Sequence, residues 1–280
     1  MNVPKLIIHG GAGSLEGNVS KEKDVRSSLK LICEQTYQEL LKNDAHSAVK
    51  FGICLLENDP LFNAGTGSRV QQDGQIRMSA SIMDASTNTF SGVINIQNVK
   101  NPILVADKLQ SEKHTVIAGD QATTFAYDNG FEKYDPLVKI RWDEHLRSMQ
   151  GKTGTVGVVA LDANANIVAG TSTGGIGGEI PGRVSDTPTV SGNFANKYVG
   201  ISATGIGEQI INSGASLKIV TRVEDGLRLK DAVSKTIKEA KSLDYEFGII
   251  SISYDGEICV DKTTDSIFYA CHDGKAINSF

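Results

Sequence analysis

Four pairs of strand-like segments, two of them joined by Asp-Gly, confine this chain to folds built on antiparallel hairpins. Residues 247–254 and 258–261 flank Asp255-Gly256, and residues 267–272 and 275–278 flank Asp273-Gly274. Asp-Gly supplies the positive φ angles that a two-residue hairpin turn demands. Residues 75–84 and 90–99 read as a third pair, and residues 155–161 and 167–173 as a fourth, across Asn164-Ala165-Asn166. Between the strands lie helical patterns. Residues 20–41 carry Val25, Leu29, Ile32 and Tyr37 near helical spacing, with Ser20 at the expected N-cap. A second helix is expected after Asp44, running through Ala48, Val49 and Ile53 to Leu56. Others follow Asn101-Pro102, Gly119, Asp135-Pro136 and Asp231, the last with Val233, Ile237 and Ala240 on one face. Amphipathic helices must cover sheet faces, so the pattern predicts a layered α+β sandwich and not a doubly wound parallel sheet.

Composition narrows the function classes. Hydrophobic residues make up 40% and charged residues 22% of 280, the balance of a globular chain with a large core. The net charge is −5 with no long basic run, which argues against nucleic acid as a partner. No apolar run approaches a membrane span. Residues 5–8 read as a short buried strand entering a Gly-rich turn, not as a signal peptide, so the expected location is the cytoplasm. Cys33, Cys54, Cys259 and Cys271 form no CxxC pair and read as small buried residues in a reducing compartment.

No GxSxG elbow, Walker A loop or HExxH helix is present, and the five histidines are scattered. The middle of the chain is instead dense in Thr, Ser and Gly. Gly154-Thr155-Val156-Gly157 opens a strand, and Thr171-Ser172-Thr173-Gly174-Gly175 ends its hairpin neighbour. Thr155 and Thr173 should therefore stand side by side. Pro181 to Asp186 and Ala203 to Glu208 follow. Taken singly these are ordinary features. A threonine at a strand end is a β-former, Gly-Gly is a turn, and Arg183 with Asp186 could be a solvated pair. Residues 147–154 are polar and Gly-containing and directly precede an apolar strand, a suitable place for an exposed loop and a chain cut.

The order of these motifs over nearly the whole chain resembles the plant-type (type 2) asparaginases and isoaspartyl aminopeptidases. It runs through Ile8-His9-Gly10-Gly11-Ala12-Gly13, residues 61–68, residues 80–84, residues 99–103 and residues 154–162, and is densest over residues 171–208. The resemblance implies a four-layer αββα sandwich of the N-terminal-nucleophile (Ntn) hydrolase type, with antiparallel sheets covered by helices. It implies one domain over residues 1–280 that cuts itself between Gly154 and Thr155 into an α subunit (1–154) and a β subunit (155–280). A threonine hydroxyl needs a base, and the cut would create one, an α-amino group with a reference pKa of about 7.7–8.0. Carried over position by position, Thr155 is the nucleophile and Thr173 orients it. Thr204 and the Gly205 N–H hold the oxyanion, and Asn63 lies beside the nucleophile. Arg183 grips a substrate α-carboxylate, while Asp186 and the main chain at Gly207 take the α-ammonium. The implied substrates are L-asparagine and β-aspartyl dipeptides.

No cofactor is implied beyond a structural sodium ion on the main-chain carbonyls of Leu56, Glu57, Asp59, Phe62, Ala64 and Thr66. Relatives pair two cleaved protomers, which implies a homodimer; no nucleic acid and no membrane is implied as a partner. Three departures from the usual pattern stand out: a short stretch (150–154) before the cleavage bond, Ser79 in place of an acidic residue, and a loosely matching segment after Val260. Two other readings stay open. One is an uncleaved or poorly cleaved, non-catalytic relative that binds small amino acids. The other is a hydrolase of the threonine-aspartase or glycosylasparaginase kind.

Overall fold

A computed structural model describes residues 2–13, 19–147 and 154–280; most of the loop expected before Gly154, residues 148–153, lies outside these. The strands are β1 (Lys5–Ala12), β2 (Met78–Asp84), β3 (Thr89–Ile96), β4 (Val116–Ala118), β5 (Val156–Leu161), β6 (Ile167–Thr173), β7 (Asn193–Ala195), β8 (Val199–Gly205), β9 (Phe247–Ser253), β10 (Ile258–Lys262), β11 (Ile267–His272) and β12 (Ile277–Ser279). They form an eight-stranded sheet in the order β12-β11-β1-β5-β6-β2-β3-β4 and a four-stranded sheet in the order β10-β9-β8-β7. All four expected hairpins form with antiparallel register. One pairing departs from the antiparallel expectation: β3 and β4 run parallel. A parallel pair needs a crossover, and the segment between these two strands supplies one.

The helices are α1 (Val19–Lys42), α2 (Ala45–Asn58), α3 (Pro102–Lys108), α4 (Gly119–Asp128), α5 (Lys139–Leu146), α6 (Gly207–Ser213), α7 (Ala215–Glu224) and α8 (Leu229–Lys241). Helix α1 begins at Val19, so Ser20 falls inside it and not at the cap. Asp44 caps α2 as its residue type suggests, accepting from the Ser47 N–H at 2.7 Å.

Period-two burial sets the packing. In β5, Val156, Val158 and Ala160 join a core shared with α1, α2, α3 and α4, while Val159 and Leu161 join a core between the sheets. In β9, Ile250 and Ile252 face that same inter-sheet core, while Phe247 and Ile249 pack with α7 and α8. The helix-facing residues of β5 and of β9 thus lie in separate clusters, and their alternate residues share a third. A polar residue on an inner face must find its partner in a dry space.

A charged clamp ties the helical cover to the large sheet. His46 on α2 donates to Asp84 at the end of β2 (2.8 Å) and to Asp107 in α3 (2.5 Å), and Lys50 also reaches Asp107 (2.9 Å). The hydrogen bonds to Asp107 and Asp84 outweigh burial and push the His46 pKa up to about 9. Burial alone would raise the two carboxyls, but their His46 hydrogen bonds, helped by Ser86 and Lys50, leave both below the usual range. The His46 contribution is therefore complete below its ordinary pKa of about 6.5 and lost as pH rises through about 9. The carboxylate contribution is present above the ordinary range and lost as pH falls through the lowered values. His46→Gln should cost about 1–3 kcal/mol of stability near pH 6. The gap to wild type should close above about pH 9 and in acid. Urea denaturation across pH reads this, and a gap independent of pH would refute the clamp.

Candidate functional site

Thr155 stands immediately before β5 and Thr173 closes β6. Val156 pairs with Ser172, so the strand register sets the two threonines across from each other. Their hydroxyl oxygens are 3.0 Å apart. Thr173 Oγ1 also accepts from the Gly175 N–H at 3.2 Å, which leaves its own hydrogen for another partner.

The residues flanking the Gly154-Thr155 bond are held from two sides. The Gly154 carbonyl accepts from the Asn63 N–H at 3.1 Å. Gly154 has φ +135°, and a Cβ there would lie 2.4 Å from Asn63 Cβ, so only glycine fits this junction. Asn63 itself is stitched in place: its carbonyl accepts from Gly174 N–H (2.8 Å), its Oδ1 from Arg69 N–H (2.8 Å), and its Nδ2 donates to the Gly175 carbonyl.

The Thr155 carbonyl meets His9 Nδ1 at 3.1 Å, and His9 Nε2 meets Ser202 Oγ at 2.9 Å. Ser202 Oγ lies 2.8 Å from Thr171 Oγ1. Burial lowers the His9 pKa to about 3, against the pull of the Thr155 carbonyl, so the ring is neutral. A carbonyl only accepts, so Nδ1 carries the proton. Nε2 must then accept from Ser202, and Ser202 from Thr171. Alternation explains why these residues meet. Ser202 and Thr204 lie on the opposite face of β8 from Val199, Ile201 and Ala203, which pack against the small sheet's helices.

Arg183, Asp186 and Gly207 converge. A Cβ placed on Gly207 would stand 2.9 Å from Arg183 Nη2 and 3.0 Å from Asp186 Oδ1. Both charged groups therefore look at one point above the Gly207 main chain. Asp186 is buried, and burial pushes its carboxyl up to about 7, against its own backbone N–H and Arg183. Among the described residues, Asp186 Oδ2 and Thr204 Oγ1 are buried polar atoms without a hydrogen-bond partner. Buried polar atoms are ordinarily paired, so both have hydrogen-bonding capacity to spare.

Arg183 is not free. Its Nε and Nη2 donate to both carboxylate oxygens of Glu208 (2.6 and 2.8 Å), and its Nη1 donates to Glu179 (2.8 Å). The sequence motifs pointed to Arg183 but not to these partners. Neither partner was legible: residues 179–183 contain Pro181-Gly182 and form no helix, so their spacing of four carries no pairing signal, and Glu208 lies 25 residues away. His9, Ser202 and Thr171 were likewise missed as a network, since their contacts span 146, 193 and 31 residues of chain.

A cavity of about 230 Å³ opens between the end of β1, at Ala12 and Gly13, and Gly205. Two larger cavities, about 390 and 310 Å³, lie beside Tyr254 and beside Tyr269, away from the threonine pair, so volume alone does not locate the site.

The loop after α2 carries the carbonyls expected to hold a cation. The Leu56 carbonyl accepts from Asp59 N–H (3.4 Å), that of Glu57 from Thr66 N–H (2.7 Å), that of Asp59 from Phe62 N–H (3.1 Å), and that of Phe62 from Arg141 Nη2 (3.4 Å). Each carbonyl oxygen keeps a second lone pair. The negative end of the α2 dipole also lies here, while the Arg141 guanidinium already stands on the Phe62 carbonyl.

A hydrogen-bonded threonine pair at paired strand ends, half-buried at Thr155 and buried at Thr173, in an α+β framework of two sheets, defines the class of site. The family profile described as asparaginase matches residues 2–280. The chain belongs to this family of hydrolases. It is 43% identical to the isoaspartyl peptidase/L-asparaginase of Nostoc, over 98% of this chain and 93% of the relative. It is 42% identical to the protein of the same name from Synechocystis, over 98% and 89%. It is 36% identical to the plant-type L-asparaginase of Pyrococcus furiosus, over 95% of each.

Ser202→Ala should leave His9 Nε2 and the Thr171 hydroxyl unpaired in a dry space. The expected loss is about 1–3 kcal/mol in urea denaturation; a loss below about 0.5 kcal/mol would mean that the network does not hold the Thr155 carbonyl.

Proposed function

We propose that this protein hydrolyses the side-chain amide of L-asparagine and of β-aspartyl dipeptides through an ester on Thr155, after cutting itself at Gly154-Thr155. The observation that carries the reading is the clasped junction. The Thr155 hydroxyl sits 3.0 Å from Thr173, and the preceding carbonyl is held by the Asn63 N–H. In this reading the Thr155 hydroxyl adds to the Gly154 carbonyl, the Gly154–Thr155 C–N bond breaks, and the amine takes the proton. Water then opens the resulting ester, which leaves Gly154 with a carboxylate and Thr155 with a free amine. That amine serves as base for the Thr155 hydroxyl in each later turnover.

The same reading assigns the head of the substrate. Its α-carboxylate meets Arg183 and its α-ammonium meets Asp186 and the main chain at Gly207. An incoming ammonium favours the ionised form of a carboxyl that burial, against the pull of Arg183, has raised to about 7. Thr204 Oγ1, which no protein group engages among the described residues, and the Gly205 N–H stabilise the tetrahedral oxyanion. Such a donor is typically worth about 2.7–4 kcal/mol of barrier. In the same proposal the two sheets are the middle layers of an αββα sandwich, because β5 and β9 each turn one face to the other sheet and one to helices.

Intact mass spectrometry tests the cut. Wild type should yield fragments 1–154 and 155–280, and Thr155→Ala should remain whole and lack both amidase and β-aspartyl peptidase activity. Gly154→Ala should slow cleavage at least tenfold, since its Cβ would meet Asn63 at 2.4 Å. A wild-type chain that stays whole on prolonged incubation, or a Thr155→Ala variant that still hydrolyses asparagine, would sink the proposal.

We also propose that a structural sodium ion is held by the carbonyls of Leu56, Glu57, Asp59, Phe62, Ala64 and Thr66. The ion would supply charge to the loop that carries Asn63 and take no part in bond breaking. Replacing sodium with choline at constant ionic strength should lower the thermal midpoint by about 2–5 °C. An unchanged midpoint would remove the ion from the account.

A further inference from the structure

Three of the five N–H donors of Arg183 are engaged before any substrate arrives, and its two partners are unlike. Glu179 has a side chain only 4% exposed, and it is fixed by Gln71 Nε2 (2.9 Å) and by the Ile176 N–H (3.0 Å). Glu208 is 54% exposed, sits in the first turn of α6, and among the described residues has no side-chain partner except Arg183. It lies fork to fork on the guanidinium, with two parallel N–H···O contacts, the arrangement that a free carboxylate adopts on arginine.

We propose that Glu208 is an internal stand-in for the substrate α-carboxylate, seated on Arg183 in the empty enzyme and displaced toward solvent each time a ligand binds. The inference rests on the proposed role of Arg183 as the α-carboxylate receptor.

Two physical consequences give the stand-in a purpose. First, a buried guanidinium with one partner removed is costly, because its charge has left water without full compensation. Glu208 keeps the fork occupied and aimed between turnovers, and the exchange swaps one carboxylate for another without changing the local charge. Second, only a ligand that presents a planar, two-pronged anion can take the seat. A ligand with a neutral amide at that position would have to expel a carboxylate from arginine without replacing it. The anchored Glu179 holds the third corner of the guanidinium throughout, so Arg183 need not move when Glu208 leaves.

The test is the affinity of the cleaved enzyme for L-aspartate, read by calorimetry, together with KM for L-asparagine, in Glu208→Gln and Glu208→Ala. With the anionic competitor removed, both variants should bind L-aspartate about three- to tenfold more tightly, with KM lowered in step, the size expected for releasing a partly exposed ion pair. Weaker binding in both variants would mean that Glu208 positions Arg183 and does not compete for it. Unchanged binding would mean that the ligand uses another face of the guanidinium. Either result overturns the proposal. The calorimetric arm reads Arg183 even if the chain does not hydrolyse asparagine. Conversely, an active enzyme with unchanged affinities removes the stand-in and leaves the proposed reaction intact.

Discussion

The site depends on how the residue at the start of β5 is pinned. Thr155 has a carbonyl on each side of its nitrogen and Cα, and different parts of the fold hold each one: the Asn63 main chain holds that of Gly154, and His9 on β1 holds its own. Its hydroxyl is held by β6 through Thr173. Three independent anchors on one residue leave little freedom for its side chain. Reactive groups gain from such preorganisation, because the ordering entropy is supplied by the folded framework and not at the moment of reaction. Two of the three anchors also survive a break in the Gly154–Thr155 bond. On the proposed cut, Thr155 would become a chain terminus without losing its position, since His9 and Thr173 attach to it beyond the broken bond.

The price of that arrangement is a run of polar side chains between two sheets. His9, Thr171 and Ser202 are all fully buried. They are tolerable because the chain of contacts closes: each hydroxyl or ring nitrogen has a partner, and the ring's neutrality avoids burying a charge. Asp186 Oδ2 and Thr204 Oγ1 break this rule a short way along the same region. The contrast is informative. The network behind the Thr155 carbonyl is closed, while these two atoms, at the proposed substrate position, are among the buried polar atoms left open.

Much of the framework was legible in the sequence because local chemistry decides it. The Asp-Gly turns and the alternating strands placed β9 to β12, and Asp44 marked the start of α2. The pairing of Thr155 with Thr173 followed from a single hairpin. The failures have equally local causes. Strand β8 hides because its inner face is Gly200, Ser202 and Thr204, too small and polar to read as a core strand until a second sheet is known to cover it. Helices α6 and α7 hide because Gly214, in a left-handed conformation at φ 59°, ends one and caps the next, so neither shows a long apolar period. The start of α1 was read one residue late because Ser20 has the chemistry of a cap without the position of one. The contacts of His9 and Arg183 join residues far apart in the chain, and no periodicity carries that information.

One residue links the loop of Asn63 to the strand of Thr173. Glu57, near the end of α2, accepts from Ser172 Oγ (2.6 Å), from Asn101 Nδ2 (3.0 Å) and from the Ile103 N–H (3.1 Å). Burial pushes its pKa up to about 8, although those three donors pull it down. Ser172 lies between Thr171 and Thr173 on β6, and alternation turns it to the helical side while its two neighbours face the inter-sheet space. The Glu57 carbonyl meanwhile holds Thr66 and so closes the loop that carries Asn63. A single residue on α2 therefore fixes β6 from behind and the Asn63 loop from its base. The distance between the held carbonyl of Gly154 and the hydroxyl of Thr173 is set by the rigid helix behind them as much as by the strands in which they lie.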